Sequence, residues 1–261
     1  PTAPLREIHM ALDLNQPFAF IGKPCDIAAL RNLALFDKRV DKLVKYWLTP
    51  VCGGYVPPVA MDTFLASKGL TLKDLKTFRY RGDGCPGLVE FESKDGLTWN
   101  ADFLEPYGGS DENSWQLPFR CKICPDGTGE AADISAGDQW ENASPDPVKA
   151  LTDPGTNAVI VRTETGVELM NAARNAGYIT VEKEFDLRWY DSCQPHQISK
   201  KKAIRARLDG LAAEGRLVPR SQGLRLDMLA QEIDSQEYER EMEGSRRRAL
   251  EYKKDNHFPY D

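Results

Sequence analysis

The chain has 261 residues, 41% of them hydrophobic and 28% charged. That length can bury a real core, and that balance excludes a wholly disordered, collagen-like or coiled-coil protein. The net charge of −6 argues against a nucleic-acid binder that relies on a broad basic face.

No apolar run approaches the ~20 residues of a membrane-spanning helix, and no basic-then-apolar leader opens the sequence. The first residue is Pro1, so we expect a chain that was processed, renumbered or cut from something longer. We expect a cytoplasmic, reducing compartment.

Residues 4–14 read as an amphipathic helix with Leu5, Ile8, Met10 and Leu12 on one broad side. Pro17 to Ile21 is a short apolar run of buried-strand type, broken by Gly22-Lys23-Pro24-Cys25. Asp26 can cap a helix through Ile27, Leu30, Leu33 and Leu35. A second strand is expected over Lys42 to Leu48, ending at Thr49-Pro50-Val51-Cys52-Gly53-Gly54. A helix from Pro58 to Ser67 follows, stopped by Gly69. Strands alternating with helices imply a parallel sheet.

From residue 71 the pattern changes. Phe78 to Arg81 is strand-like, and Arg81-Gly82-Asp83-Gly84-Cys85-Pro86-Gly87 must be a loop. Val89 to Phe103 suggests a hairpin turning at Lys94-Asp95-Gly96. Residues 105–146 are rich in Gly, Pro, Asp and Ser and lack periodicity, a length of loop usually held by function or by something other than a core. Ala158 to Val161 is a clean buried strand, Thr163 to Gly166 leads into a helix, and Tyr178 to Val181 reads as a returning strand, a second β-α-β unit. From Pro195 the chain is charged and helical, divided into two helices by Gly210, Gly215 and Pro219. The expected architecture is therefore α/β: a parallel-sheet core with a β-rich insertion carrying a cluster loop, and a helical C-terminal tail. The expected segments are 1–70, 71–146, 147–190 and 191–261.

Six cysteines occur, at 25, 52, 85, 121, 124 and 193. Cys25 and Cys52 each follow a strand expected to be parallel, at the carboxyl edge where α/β proteins place their sites. Cys25 also opens a helix, a position that favours thiolate. Cys121 and Cys124 form one C-x-x-C knuckle on the long loop. Together they make four thiol donors, the number for a [4Fe–4S] cluster or a structural zinc. A redox dithiol and unrelated buried thiols are the competing readings. Cys85 and Cys193 have no spacing partner.

Several turns could cradle an anionic cofactor. Gly22 and Lys23 stand at one helix start, and Arg162, Thr163 and Gly166 at another. Arg79, Arg81, Gly82, Gly84 and Gly87 form a basic, glycine-rich loop. Arg79 and Arg81 alternate on a strand and could equally face solvent. Asp133 and Asp138 flank a run of small residues, where caps and turns outweigh a substrate role. His9, His196 and His257 form no metal-ligand pair, and no catalytic residue is identified. Lys200, Lys201, Lys202, Arg205 and Arg207 could dock an acidic electron-transfer protein or simply form a solvated helix face.

Phe18 to Arg31, Cys52-Gly53-Gly54, Arg79 to Gly87, Arg120-Cys121-x-x-Cys124-Pro125-Asp126, Ala132 to Asp138 and Val159 to Gly166 occur in that order. The ordered set resembles the beta subunits of coenzyme F420-reducing hydrogenase and F420-linked dehydrogenases. That family also includes hydroxymethyl chlorophyllide reductase and a ferredoxin-dependent vinyl reductase. The resemblance implies an oxidoreductase carrying FAD and a [4Fe–4S] cluster, with Cys25, Cys52, Cys121 and Cys124 as cluster ligands and the Arg79–Gly87 loop in the flavin pocket. It also implies a ferredoxin or another redox subunit as partner, an organic substrate or deazaflavin coenzyme as acceptor, and a homo-oligomer or a complex as the assembled form. The chain has Cys85 where the family often has Trp, and the family's upstream portion is expected to precede Pro1. An electron-transfer subunit and a zinc-stabilised, non-catalytic binding module are the alternative functions.

Overall fold

A computed structural model describes residues 3–109, 117–140, 144–146 and 148–251; parts of the 105–146 loop and His257 lie outside the described residues. The first half builds on two neighbouring parallel strands, β1 (Phe18–Ile21) and β2 (Val44–Pro50), paired with Ile21 opposite Leu48. Helices α1 (Ile8–Asp13), α2 (Pro24–Leu33) and α3 (Arg39–Leu43) supply Ile8, Leu12, Ile27, Leu30, Val40 and Leu43 to a core closed by Phe20 and Trp47. The α1 helix is shorter than the expected 4–14 span. Leu12, Ile27 and Leu30 have no exposed surface, and burying each such side chain contributes about 1.5–3 kcal/mol. The Arg31 guanidinium lies 3.8 Å from the centre of the Trp47 ring and covers that core from outside.

The sheet continues through β6 (Ile134–Asp138), parallel to β2, and ends with β7 (Asn157–Val161), antiparallel to β6. The sequence favours a turn over residues 134–138, because Ala136, Gly137 and Asp138 carry little strand propensity. Ladders on both sides hold them extended, and Ser135 is fully buried. This places β6 in the core sheet although its sequence lies within the segment expected to be the insertion.

A separate antiparallel sheet holds β3 (Leu75–Arg79), β4 (Leu88–Ser93) and β5 (Thr98–Asp102), with the expected turn at residues 94–96. Helix α4 (Pro58–Ser67) lays Met61, Phe64 and Leu65 on Val89, Phe91 and Ala101 to close a second core.

After β7 comes α6 (Glu164–Asn175), whose N-cap is Thr163. The returning strand expected at Tyr178–Val181 does not form. Those residues carry no ladder, and Tyr178 is exposed. The last part is helical: α7 (Leu187–Cys193), α8 (Pro195–Ala213), α9 (Leu226–Leu229) and α10 (Ser235–Glu251). Gly210 does not break α8 as expected. A Cβ there would collide with the Met242 carbonyl oxygen, so this glycine lets the α10 backbone approach. Ile204, Leu208, Leu211 and Ala249 form a third core between α8 and α10, and Phe119 and Ile123 pack on it. No helix among the described residues is long and apolar enough to cross a membrane.

Candidate functional site

The parallel pairing of β1 and β2 brings their carboxyl ends side by side, with Gly22 N–H donating to the Leu48 carbonyl at 3.2 Å. Cys25 therefore lies in the first turn of α2 beside the segment carrying Cys52. Asp26, expected to be the cap itself, is instead the third residue of α2, and it accepts from the N–H of the cap residue Lys23 at 3.0 Å. The Cys52 N–H donates to the Gly127 carbonyl at 2.8 Å, which draws the knuckle loop onto the same edge. Cys121 sits in α5 (Phe119–Lys122), and the Cys124 thiol donates to the Asp126 carbonyl at 3.3 Å.

Asp126 shapes the loop that follows. Its buried carboxylate accepts from the backbone N–H groups of Thr128, Gly129 and Glu130 at 3.1, 2.7 and 2.8 Å. The Pro125-Asp126-Gly127 run is the local signal that marks this turn.

The four thiols are half-buried. Burial pushes the Cys25 thiol up in pKa, Asp26 and Cys124 push the same way, and Lys23 and Arg120 oppose them. Burial likewise raises Cys52; Cys124 and Cys121 add to the rise, while a hydrogen bond from Gly54 N–H and the charge of Lys200 oppose it. Among the described residues, no three His, Cys, Asp or Glu side chains stand as a group that could hold a metal ion. A zinc ion at its usual 2.3 Å bond length needs sulfurs about 3.8 Å apart. A [4Fe–4S] cluster takes four thiolates, the donor type and number that Cys25, Cys52, Cys121 and Cys124 offer.

Two cavities lie beside the segments that carry Cys25 and Cys52 and share Pro50, Gly54 and Tyr107; Cys193 lines the second, and none of the four candidate thiols lines either. The first, about 390 Å³, is lined by Gly22, Lys23, Asp26, Tyr55 and Tyr80 among others. The Lys23 ammonium stands 2.6 Å from Asp26. Gly22 leaves room here, since a Cβ would meet the Phe20 ring at 2.9 Å. The second cavity, about 670 Å³, is walled by Phe103, Leu117, Trp140, Arg81, Asp138 and His196. The Arg81 guanidinium lies 4.9 Å from the Trp140 ring centre. Phe103 and Trp140 meet edge-on at 5.8 Å.

Residues 16–186 match the family described as the C terminus of the coenzyme F420 hydrogenase/dehydrogenase beta subunit. The chain belongs to that family. Its fold is similar to that of a chain in the F420-reducing [NiFe] hydrogenase complex from Methanosarcina barkeri, with a TM-score of 0.50 and 19% identity. That similarity covers 79% of this chain and 66% of the hydrogenase chain, so the present chain spans just under two thirds of that relative. No curated protein sequence matches it.

Within this beta-subunit fold the expected cofactor residues divide. Gly22, Lys23 and Arg81 line the cavities. The others line neither, and each has structural contacts. Arg79 pairs with Asp83 at 2.6 Å and with Glu90. Gly82 and Gly87 bridge one another, and the Gly87 N–H donates to the Ala150 carbonyl at 3.0 Å. Gly84 lies where a Cβ would collide with that same carbonyl oxygen. These glycines fold the loop against residues 150–151.

Arg162 donates to Ser135 Oγ at 2.8 Å and to the Thr128 carbonyl at 3.2 Å. Thr163 donates to Asp133 Oδ1 at 2.7 Å and accepts from Gly166 N–H at 3.1 Å. Asp133 also accepts from the Trp47 N–H at 2.9 Å, so its role is structural, as the cap-or-turn reading favoured. Asp138 pairs with Arg81 at 2.9 Å.

The basic run on α8 is largely neutralised within the chain. Lys201 pairs with Glu130, Lys202 with Glu232, Arg205 with Asp209 and Asp227, and Arg207 with Glu241. Those contacts favour the plain helix-face reading over a docking site.

Proposed function

We propose that this chain is an electron-transfer oxidoreductase subunit in which Cys25, Cys52, Cys121 and Cys124 hold one [4Fe–4S] cluster and the adjoining cavities hold FAD. The reading rests on one observation: the parallel β1–β2 edge brings two single thiols to a loop knuckle, beside cavities lined by Lys23 and Arg81. Family membership supports it. When bound, the two cofactors supply conversion between single-electron and hydride transfer.

The chain's own residues bind, orient and exclude water. Lys23, which lines the first cavity beside Asp26, offers positive charge to an anionic diphosphate. Phe103 and Trp140 offer flat apolar walls to a planar ring system, and Arg81 is oriented between them and Asp138. The half-buried position of Cys25 and Cys52 limits water at the thiols. The acceptor is an organic molecule or a deazaflavin coenzyme, and the redox partner is a ferredoxin or another subunit of a complex.

The zinc-module alternative predicts a colourless protein. The present reading predicts flavin absorption with a broad iron–sulfur shoulder. Iron and sulfide analysis of six single Cys→Ala variants, prepared without oxygen, tests it. Loss at 25, 52, 121 and 124 with full iron at 85 and 193 is expected. Full iron after removal of Cys25 or Cys52 would refute the assignment.

A further inference from the structure

The thiol edge is gripped by a part of the chain that lies outside the family match. The match ends at residue 186, and α8 begins at Pro195. Gln197, on the first turns of α8 and only 4% exposed, donates its Nε2 to the Cys52 carbonyl at 2.8 Å. Its Oε1 is buried and has no hydrogen-bond partner among the described residues. It faces Gly127, the residue whose carbonyl holds the Cys52 N–H, and a Cβ on Gly127 would collide with it. The Gln197 amide thus closes over both segments of the Cys52–Gly127 contact.

The same helix continues along the knuckle loop. Positions 197, 201, 204, 208 and 211 recur at helical spacing on one face. Lys201 pairs with Glu130, while Ile204, Leu208 and Leu211 receive Phe119 and Ile123, the residues that flank Cys121 and precede Cys124. Arg207 adds a bond from Nη1 to the Lys122 carbonyl at 2.6 Å. One rigid helix therefore contacts both thiol-bearing segments, which are about seventy residues apart in sequence.

We propose that α8 is the clamp that sets Cys52 against the Cys121–Cys124 knuckle, with Gln197 as its positioning residue. The inference rests on the thiol centre proposed above, but the grip itself is built of protein contacts alone. Gln197 touches the backbone of Cys52, so it acts through the thiol's position. Loss of its donor leaves the Cys52 carbonyl without this partner in a half-buried site and frees the segment to open.

The test uses the full chain and reads alkylation of each cysteine by iodoacetamide, mapped by mass spectrometry, in the iron-free protein. Gln197→Met keeps the length and shape of the side chain and removes the donor. Cys52 should react roughly tenfold faster, the factor expected from one lost buried hydrogen bond. Cys193, 1% exposed and four residues before Gln197, is the internal control and should stay slow. An unchanged Cys52 rate overturns the proposal. So does a parallel rise at Cys193, which would make Gln197 a general fold residue. Gly127→Ala, which must displace the amide, decides by the same two rates if Gln197→Met does not fold. Anaerobic reconstitution is run beside it: a wild-type chain that takes up no iron refutes the cluster reading and leaves the alkylation result to judge the clamp.

Discussion

Arg81 donates to both oxygens of Asp138, at 2.9 and 3.2 Å, and so ties the loop after β3 to the last residue of β6. Two sheets that share no strand are joined at the wall of the larger cavity. Arg79 is the last residue of β3 and Arg81 lies in the loop beyond it, so the two side chains part although residues two apart on a strand would share a face. One side chain reaches the cavity and the other pairs with Asp83 and Glu90.

Arg81→Ala should weaken flavin retention by about 1.5–3 kcal/mol, the range for a charge-assisted contact. Arg79→Ala should leave it unchanged, because Arg79 lines neither cavity. Flavin content and dissociation constants of the two purified variants check the contrast. Equal losses would show that the glycine loop contributes as a whole.

Asp133 is 4% exposed and accepts from Trp47 N–H in β2 and from Thr163 Oγ1 at the start of α6. Asp133→Ala removes both acceptors and should destabilise the chain by about 1.5–3 kcal/mol. Thr163→Ala removes a cap as well as one of these bonds and should cost about 1–2 kcal/mol. Denaturant midpoints measure both, and a Thr163 effect larger than the Asp133 effect would contradict the ranking.

Gly84 has φ +136° and no room for a Cβ beside the Ala150 carbonyl. Gly84→Ala should cost about 1–3 kcal/mol in stability. By contrast Gly96, at φ +88° in the β4–β5 turn, has nothing within 4 Å of a Cβ, so its substitution meets only backbone strain. A thermal melt of the two alanine variants should rank Gly84 as the more damaging.

The thiols of Cys25 and Cys52 are raised in pKa chiefly by burial. Without a bound cation, a smaller share of each is thiolate at any given pH than in an unfolded chain. Their alkylation profiles should therefore run to higher pH than that of free cysteine. The sign for stability follows. The unfolded thiols lose protons first as pH rises, so the contribution of these groups is full below their ordinary pKa and is lost through the alkaline range. Profiles coincident with free cysteine would remove the burial argument.

The sequence by itself determined the elements whose signals are local. Apolar runs broken by Gly and Pro located β1, β7 and α4, and the Lys94-Asp95-Gly96 turn located the β4–β5 hairpin. The placing of Cys25 and Cys52 at one sheet edge followed from two strand–turn–helix units, because parallel neighbours put their carboxyl ends together.

Tertiary contacts decided the rest. Residues 134–138 are a strand because β2 and β7 flank them, whereas Tyr178–Val181 have no ladder and stay irregular. Gly210 reads as a helix breaker in sequence and is a point of helix contact in space. Gln197 carried no sequence signal at all, since a glutamine becomes a clamp only where a carbonyl 145 residues away comes within 2.8 Å. Short-range pattern encodes backbone conformation. Which polar groups meet depends on how distant segments pack, and that is settled only when the whole chain closes.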